Sequence, residues 1–157
     1  MEHKDVMRLA IERARKTVNE NLGGPFGSAI VDKDGNVIAV SSNRVLGDSD
    51  PTAHAEVLAI REACRRLGTH DLSGCRIYAT GYPCPMCLGA IIWANIKECY
   101  FGASPKDAAR VGFRDDFIYE FIKDDCRDSE TLSLKSVSSD ECVKLFEEYA
   151  EKEKEIY

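Results

Sequence analysis

His54 and Glu56 stand two residues apart in Thr52-Ala53-His54-Ala55-Glu56, and Cys84 and Cys87 stand three apart in Pro83-Cys84-Pro85-Met86-Cys87. One imidazole and two thiols make a set of borderline and soft donors. That set suits a single Zn2+ whose fourth position is left to water. A carboxylate two residues beyond the histidine is the proton carrier that hydrolysis at such an ion needs. His54, Cys84 and Cys87 are therefore candidate metal ligands, and Glu56 is the candidate acid and base.

The Cys-x-x-Cys spacing has other readings. Thiol–disulfide exchange uses it too, but the flanks here, Tyr82-Pro83 and Leu88-Gly89, do not look like that motif. A four-ligand structural zinc site needs a second such pair, and the chain has none. Both thiols could also pack as small apolar groups. His-x-Glu opening one helical segment and Pro-Cys-x-x-Cys opening the next is a rarer conjunction, and it favours a catalytic ion.

The rest of the chain reads as the scaffold that positions these groups. Residues 5–21 carry Met7, Ala10, Ile11, Ala14 and Val18 at helical spacing, and Gly23-Gly24-Pro25 ends that run. Two strand-like stretches, 26–32 and 36–42, flank Asp34-Gly35, a hairpin signal. Phe26 follows a loop of small residues that lets backbone approach a ligand, and it serves equally well as core. Asn43, at the end of the second strand, offers an acceptor and two donors suited to a base edge. It is also an ordinary turn residue.

Asp50 reads as a helix N-cap with Pro51 at the first position, which puts His54 and Glu56 in the first turn. Val57, Ile60, Cys64 and Leu67 form that helix's core stripe, and Gly68 ends it. A third strand spans 76–80. Cys84 then caps a helix whose first residue is Pro85, and 98–103 form a fourth strand. Amide N–H groups near Ala55 and Cys84, at the two helix starts, are placed to steady an oxygen developing negative charge. Beyond these lie helical stretches at 105–110 and 114–123, a strand-like run at 131–137, and a charged amphipathic helix over 140–154. The sum is an α/β domain, a central mixed sheet between helix layers.

Composition bounds the partners. The chain has 157 residues, 44% apolar and 31% charged, enough for one well-buried core. Its net charge of −6 gives no general attraction to nucleic acid or to an anionic membrane surface. Seven cysteines, an odd number, and a charged N-terminus without a secretory apolar segment lead us to expect a reducing, cytoplasmic setting. No stretch approaches the roughly 18 apolar residues of a membrane span.

The two motifs resemble the zinc site of the cytidine-deaminase-like superfamily. Gly23-Gly24-Pro25-Phe26-Gly27, Asp50-Pro51-Thr52-Ala53-His54-Ala55-Glu56, Pro83-Cys84-Pro85-Met86-Cys87-Leu88-Gly89-Ala90-Ile91, Gly112-Phe113 with Asp115, Phe117-Ile118-Tyr119 and a terminal Tyr157 look like bacterial guanine deaminases. The similarity runs nearly end to end. It implies a three-layer α/β/α fold in a single domain over 1–157, one Zn2+ per subunit, and hydrolysis of guanine to xanthine and ammonia. It further implies that Phe26, Trp93 and His54 wall the base and that Asn43 hydrogen-bonds it. Asp115 would take part in recognition or proton handling. By the same resemblance the chain forms a homodimer in which residues from about 104 to 157 are exchanged, so that Tyr157 closes the partner's pocket.

Two features depart from the family. Tyr82 stands where most relatives carry a glutamate before Pro-Cys, and Arg114-Asp115-Asp116 replaces a more acidic or small neighbourhood. A pterin, a triazine, cytosine or adenosine in transfer RNA stay open as substrates, and a zinc-stabilised interaction module is the non-enzyme alternative.

Overall fold

The computed structural model describes residues 1–157. Its contacts divide the chain into two compact units, Met1–Asp116 and Phe117–Tyr157.

The first unit is built on a four-stranded sheet of order β2-β1-β3-β4. Strand β1 (Gly27–Val31) runs antiparallel to β2 (Val37–Ser42) on one side and to β3 (Arg76–Gly81) on the other. Strand β3 is parallel to β4 (Glu98–Ala103), so the sheet is mixed, as expected. Every residue of β1 is buried, because helices cover both faces. On one face Val6 and Ala10 of α1 (His3–Asn19) meet Ala29, Val31 and Tyr78. On the other, Ala59 and Ala63 of α2 (Ala55–Leu67) and Ile91 of α3 (Pro85–Trp93) meet Ile30, Ala39 and Ile77. Neighbours along a strand point to opposite faces, which is why Ala29 and Ile30 belong to different layers. This is the three-layer α/β/α arrangement.

The expected start of α2 needs correction. Asp50 does not cap a helix at Pro51. Its carboxylate accepts instead from the N–H of Thr52 at 2.8 Å and from the Thr52 hydroxyl at 2.7 Å, a local turn that ends at Ala53. The cap passes to His54, in extended conformation, so the imidazole stands just outside the helix and Glu56 inside it. Cys84 caps α3 and Pro85 opens it, as the sequence predicts. Helix α4 (Pro105–Arg110) starts at a capping box in which Ser104 accepts from the Asp107 N–H and Asp107 accepts from the Ser104 N–H.

The second unit contains most of α5 (Asp116–Lys123) and all of α6 (Ser139–Glu151). The strand expected over 131–137 does not form. Leu132, Leu134 and Val137 are exposed there, no strand pairs with them, and an unpaired apolar run has nothing to make it a strand. Val143, Phe146 and Tyr149 repeat at helical spacing on α6 and remain exposed.

One close contact fixes the spacing between α1 and the sheet. A Cβ built on Gly27 would lie 2.0 Å from the Ala10 carbonyl oxygen, a backbone atom that cannot step aside. Gly27→Ala should therefore push α1 off β1 and lower stability by about 1–3 kcal/mol. Thermal unfolding checks this, with about 2–4 °C lost per kcal/mol in a chain of this size.

Candidate functional site

Two helix starts meet at one end of the sheet. His54 caps α2 and Cys84 caps α3, while Cys87 lies in the first turn of α3 and is completely buried. The Nδ1 atom of His54 lies 3.5 Å from the Sγ of Cys84 and 3.5 Å from the Sγ of Cys87. All three donor atoms fall within 4.8 Å of one another. Tetrahedral N and S ligands at ordinary zinc bond lengths sit roughly 3.6 Å apart, so the observed spacing fits one zinc ion.

The electrostatics of the group favour a cation as well. The Cys84 thiol is drawn down to about 4, first by the hydrogen bond it accepts from the Cys87 thiol and also by its contact with His54. Cys87 moves the other way, because its proton is held against the Cys84 sulfur. His54 is raised, chiefly by its hydrogen bond with Cys84. A divalent ion bound here would take the place of the proton held between the two sulfurs. Glu56, only 6% exposed, is raised by burial.

A cavity of about 530 Å3, the size of a small-molecule site, opens above this group. His54, Glu56 and Cys84 form part of its wall, and Phe26, Asn43 and Asp115 also line it. Phe26 meets Phe113 edge to face, with ring centres 5.1 Å apart. Asp115 is half-buried and raised, first by burial and then by the Cys84 sulfur. Asn43 is nearly fully buried. Its side-chain oxygen accepts from the Val45 N–H at 3.0 Å, which leaves its NH2 group for a ligand. One acceptor position of Asn43 is thus taken by the backbone, while both of its N–H donors stay open to a ligand. Gly23 makes this placement possible, since a Cβ there would lie 2.3 Å from the Asn43 oxygen.

The expected residues do not all converge on this cavity. Ala55 is fully buried at the start of α2 between two lining residues, so any part it plays is through its amide. Trp93 is not in the cavity wall. It is 74% exposed at the far end of α3, about 14 Å along the helix from Cys84 at 1.5 Å per residue. Tyr157 ends the second unit and is exposed there. The sequence reading did not single out Val45, Leu46, Pro105 or Ala108, all of which line the cavity. Val45 and Leu46 carried the usable signal, two apolar side chains in an otherwise polar loop.

Comparison with known proteins agrees with this geometry. Residues 1–103 match the family described as the cytidine and deoxycytidylate deaminase zinc-binding region. A guanine deaminase of Bacillus subtilis is 45% identical over 147 residues, covering 94% of this chain and 93% of that protein. A tRNA-specific adenosine deaminase of Haemophilus influenzae is 36% identical over 96% of this chain and 84% of its own length. The X-ray structure of guanine deaminase from Bacillus subtilis superposes with a TM-score of 0.92 at 43% identity, over 100% of this chain and 99% of that one. The chain thus belongs to the cytidine and deoxycytidylate deaminase zinc-binding family, and it is a zinc-dependent deaminase.

Proposed function

We propose that the chain hydrolyses guanine to xanthine and ammonia, with His54, Cys84 and Cys87 holding one zinc ion and Glu56 carrying the proton. The ion, when bound, supplies Lewis acidity and acidifies water at neutral pH. Glu56, buried against the thiols, takes a proton from the water that adds to the ring carbon. It delivers that proton to the adjacent ring nitrogen, then takes the second proton from the added hydroxyl and passes it to the departing amine. The bond to nitrogen breaks, ammonia leaves, and the carbon becomes a carbonyl. The amides of Ala55 and Cys84 steady the oxygen as it gains charge. Phe26, backed by Phe113, packs against the face of the base. Asp115, which also lines the cavity, contributes to recognition or to proton transfer.

Asn43 carries the choice of base. Guanine presents acceptors at O6 and N7, whereas adenine places an amino group where guanine has O6. The open NH2 of Asn43 can donate to guanine O6, whereas adenine has an amino group at that position that accepts nothing from it. The likeness to a tRNA-specific adenosine deaminase gives the second reading its footing, but a net charge of −6 is poorly suited to transfer RNA.

The active form in this reading is a cytoplasmic homodimer whose C-terminal segment is exchanged, with Tyr157 acting in the partner's pocket. Exposed apolar side chains support the assembly: Ile92 and Trp93 on α3, Phe146 on α6, and Ile156 and Tyr157 at the end. All seven cysteines are free, in keeping with a reducing compartment. No helix is long and apolar enough to cross a membrane.

An ammonia-release screen over guanine, adenine, cytosine, their nucleosides and a pterin should single out guanine. A second amino-heterocycle turning over while guanine stays inert would reject the assignment. In the same assay Glu56→Gln should keep one zinc per chain by elemental analysis while turnover drops about 10²–10⁴-fold. Asn43→Asp keeps the oxygen that Val45 needs but replaces the donors with an acceptor. It should lower kcat/KM for guanine roughly 10- to 100-fold, with far less effect on thermal unfolding. Sedimentation should give about twice the 17.5 kDa chain mass, and removing Tyr157 should cut guanine turnover about 10-fold or more without loss of zinc. Full activity in that truncation would refute the role given to the tail.

A further inference from the structure

A second cleft lies over the free edge of β2. It measures about 470 Å3, and its walls come from helices on opposite faces of the sheet. Arg13 and Lys16 of α1 stand on one side, Arg61 and Arg65 of α2 on the other, and Arg44 follows β2 at the end. The floor is made of hydroxyls. Thr17 and Ser42 are hydrogen-bonded to each other at 2.5 Å, and Ser41 donates to the Glu62 carboxylate at 3.3 Å.

The charges do not balance within the cleft. Lys16 pairs with Glu20 at 3.9 Å, and Arg44 with Asp48 at 3.0 Å. The other acid in the wall, Glu62, is paired at 2.8 Å with Arg66, a residue outside the cleft. Arg13, Arg61 and Arg65 are left with no carboxylate at ion-pair distance. Arg61 and Arg65 are also four residues apart on one helix, where like charges repel. Asp50 feels the charge of Arg61 from a distance, and Glu20 and Glu62 are the acids of the cleft wall, against five basic side chains.

Charge on an edge strand deters pairing with another sheet, and any lysine or glutamate would serve that purpose. Planar guanidinium forks from two helices over a hydroxyl floor suit phosphate oxygens better. The cleft also borders the substrate cavity. Asn43 and Val45 line the cavity while Arg44, between them, lines the cleft, and the Arg44 N–H donates to the Ala53 carbonyl at 2.9 Å beside His54. Likewise α2 turns Glu56 to the cavity and Arg61 to the cleft.

We propose that this cleft is a regulatory site for a polyphosphate group, carried on a nucleotide or free, whose grip on Arg44 alters how Asn43 meets the base. The binding half stands apart from the guanine assignment, and only the regulatory half rests on it.

Calorimetric titration of the zinc-loaded protein with tripolyphosphate should give saturable one-to-one binding. Arg61→Gln/Arg65→Gln should weaken it at least tenfold, while Lys33→Gln/Lys97→Gln, which removes the same charge elsewhere, should leave it within twofold. GTP or ATP binding more tightly than tripolyphosphate assigns the site to nucleotides, and equal affinity assigns it to free polyphosphate. No saturation at millimolar ligand, equal loss in both double variants, or binding of transfer RNA alone would overturn the site. Saturating tripolyphosphate should also shift KM for guanine at least threefold in the parent and not in the arginine variant. Binding without that shift overturns the regulatory half.

Discussion

Everything in the first unit is subordinate to one requirement, that three donor atoms from two distant segments stand within a single ion's reach. His54 and Cys84 are thirty residues apart, and each caps a helix. Each cap carbonyl accepts the first bond of its helix, from Leu58 and from Leu88, while the extended backbone of the cap lets its side chain turn toward a neighbour without costing the helix that bond. Pro85 at the first position of α3 and the turn at Asp50 before α2 fix those two starts. The sheet then sets their distance.

The same economy appears around the substrate. Small residues occur where side chains of the site need room: Gly23 beneath Asn43, and Gly24 beside Phe26 and Phe113. The Asn43 side chain has a structural bond through its oxygen and a free face through its nitrogen. Fixing one end leaves the other pre-oriented, which lowers the cost of ordering it when a base arrives. The hydrophobic layers beneath are ordinary, with Ala29 and Ile30 facing opposite helices across a two-residue pleat.

Much of this was legible in the sequence, and for identifiable reasons. The bounds of β4 and α4 and the cap at Cys84 follow from local pattern and from proline, and the structure agrees. The start of α2 was misplaced because Asp-Pro serves helix caps and turns alike, and only the Thr52 side chain decides between them. The run at 131–137 has strand-like composition but no neighbour to pair with, a fact that lies outside any local window. Trp93 was expected at the base through family likeness, whereas the length of α3 carries it away from the cavity of its own chain. The direction of the Asn43 amide could not be read from its identity, because the deciding partner is the Val45 backbone.

The pairing of β1 with β3 has a further meaning for how the chain matures. Ser28 lies opposite Ala79, so the contact that brings the two ligand-bearing helices into register closes a loop of about fifty residues. Until that loop closes, Cys84 and Cys87 stand near each other in the chain but His54 is elsewhere, and two thiols alone make an incomplete claim on a metal. Capture of zinc therefore depends on the assembled sheet and, by linkage, stabilises it in turn. A nascent or damaged chain that fails to seat β3 beside β1 would stay metal-poor, a built-in check on its own quality.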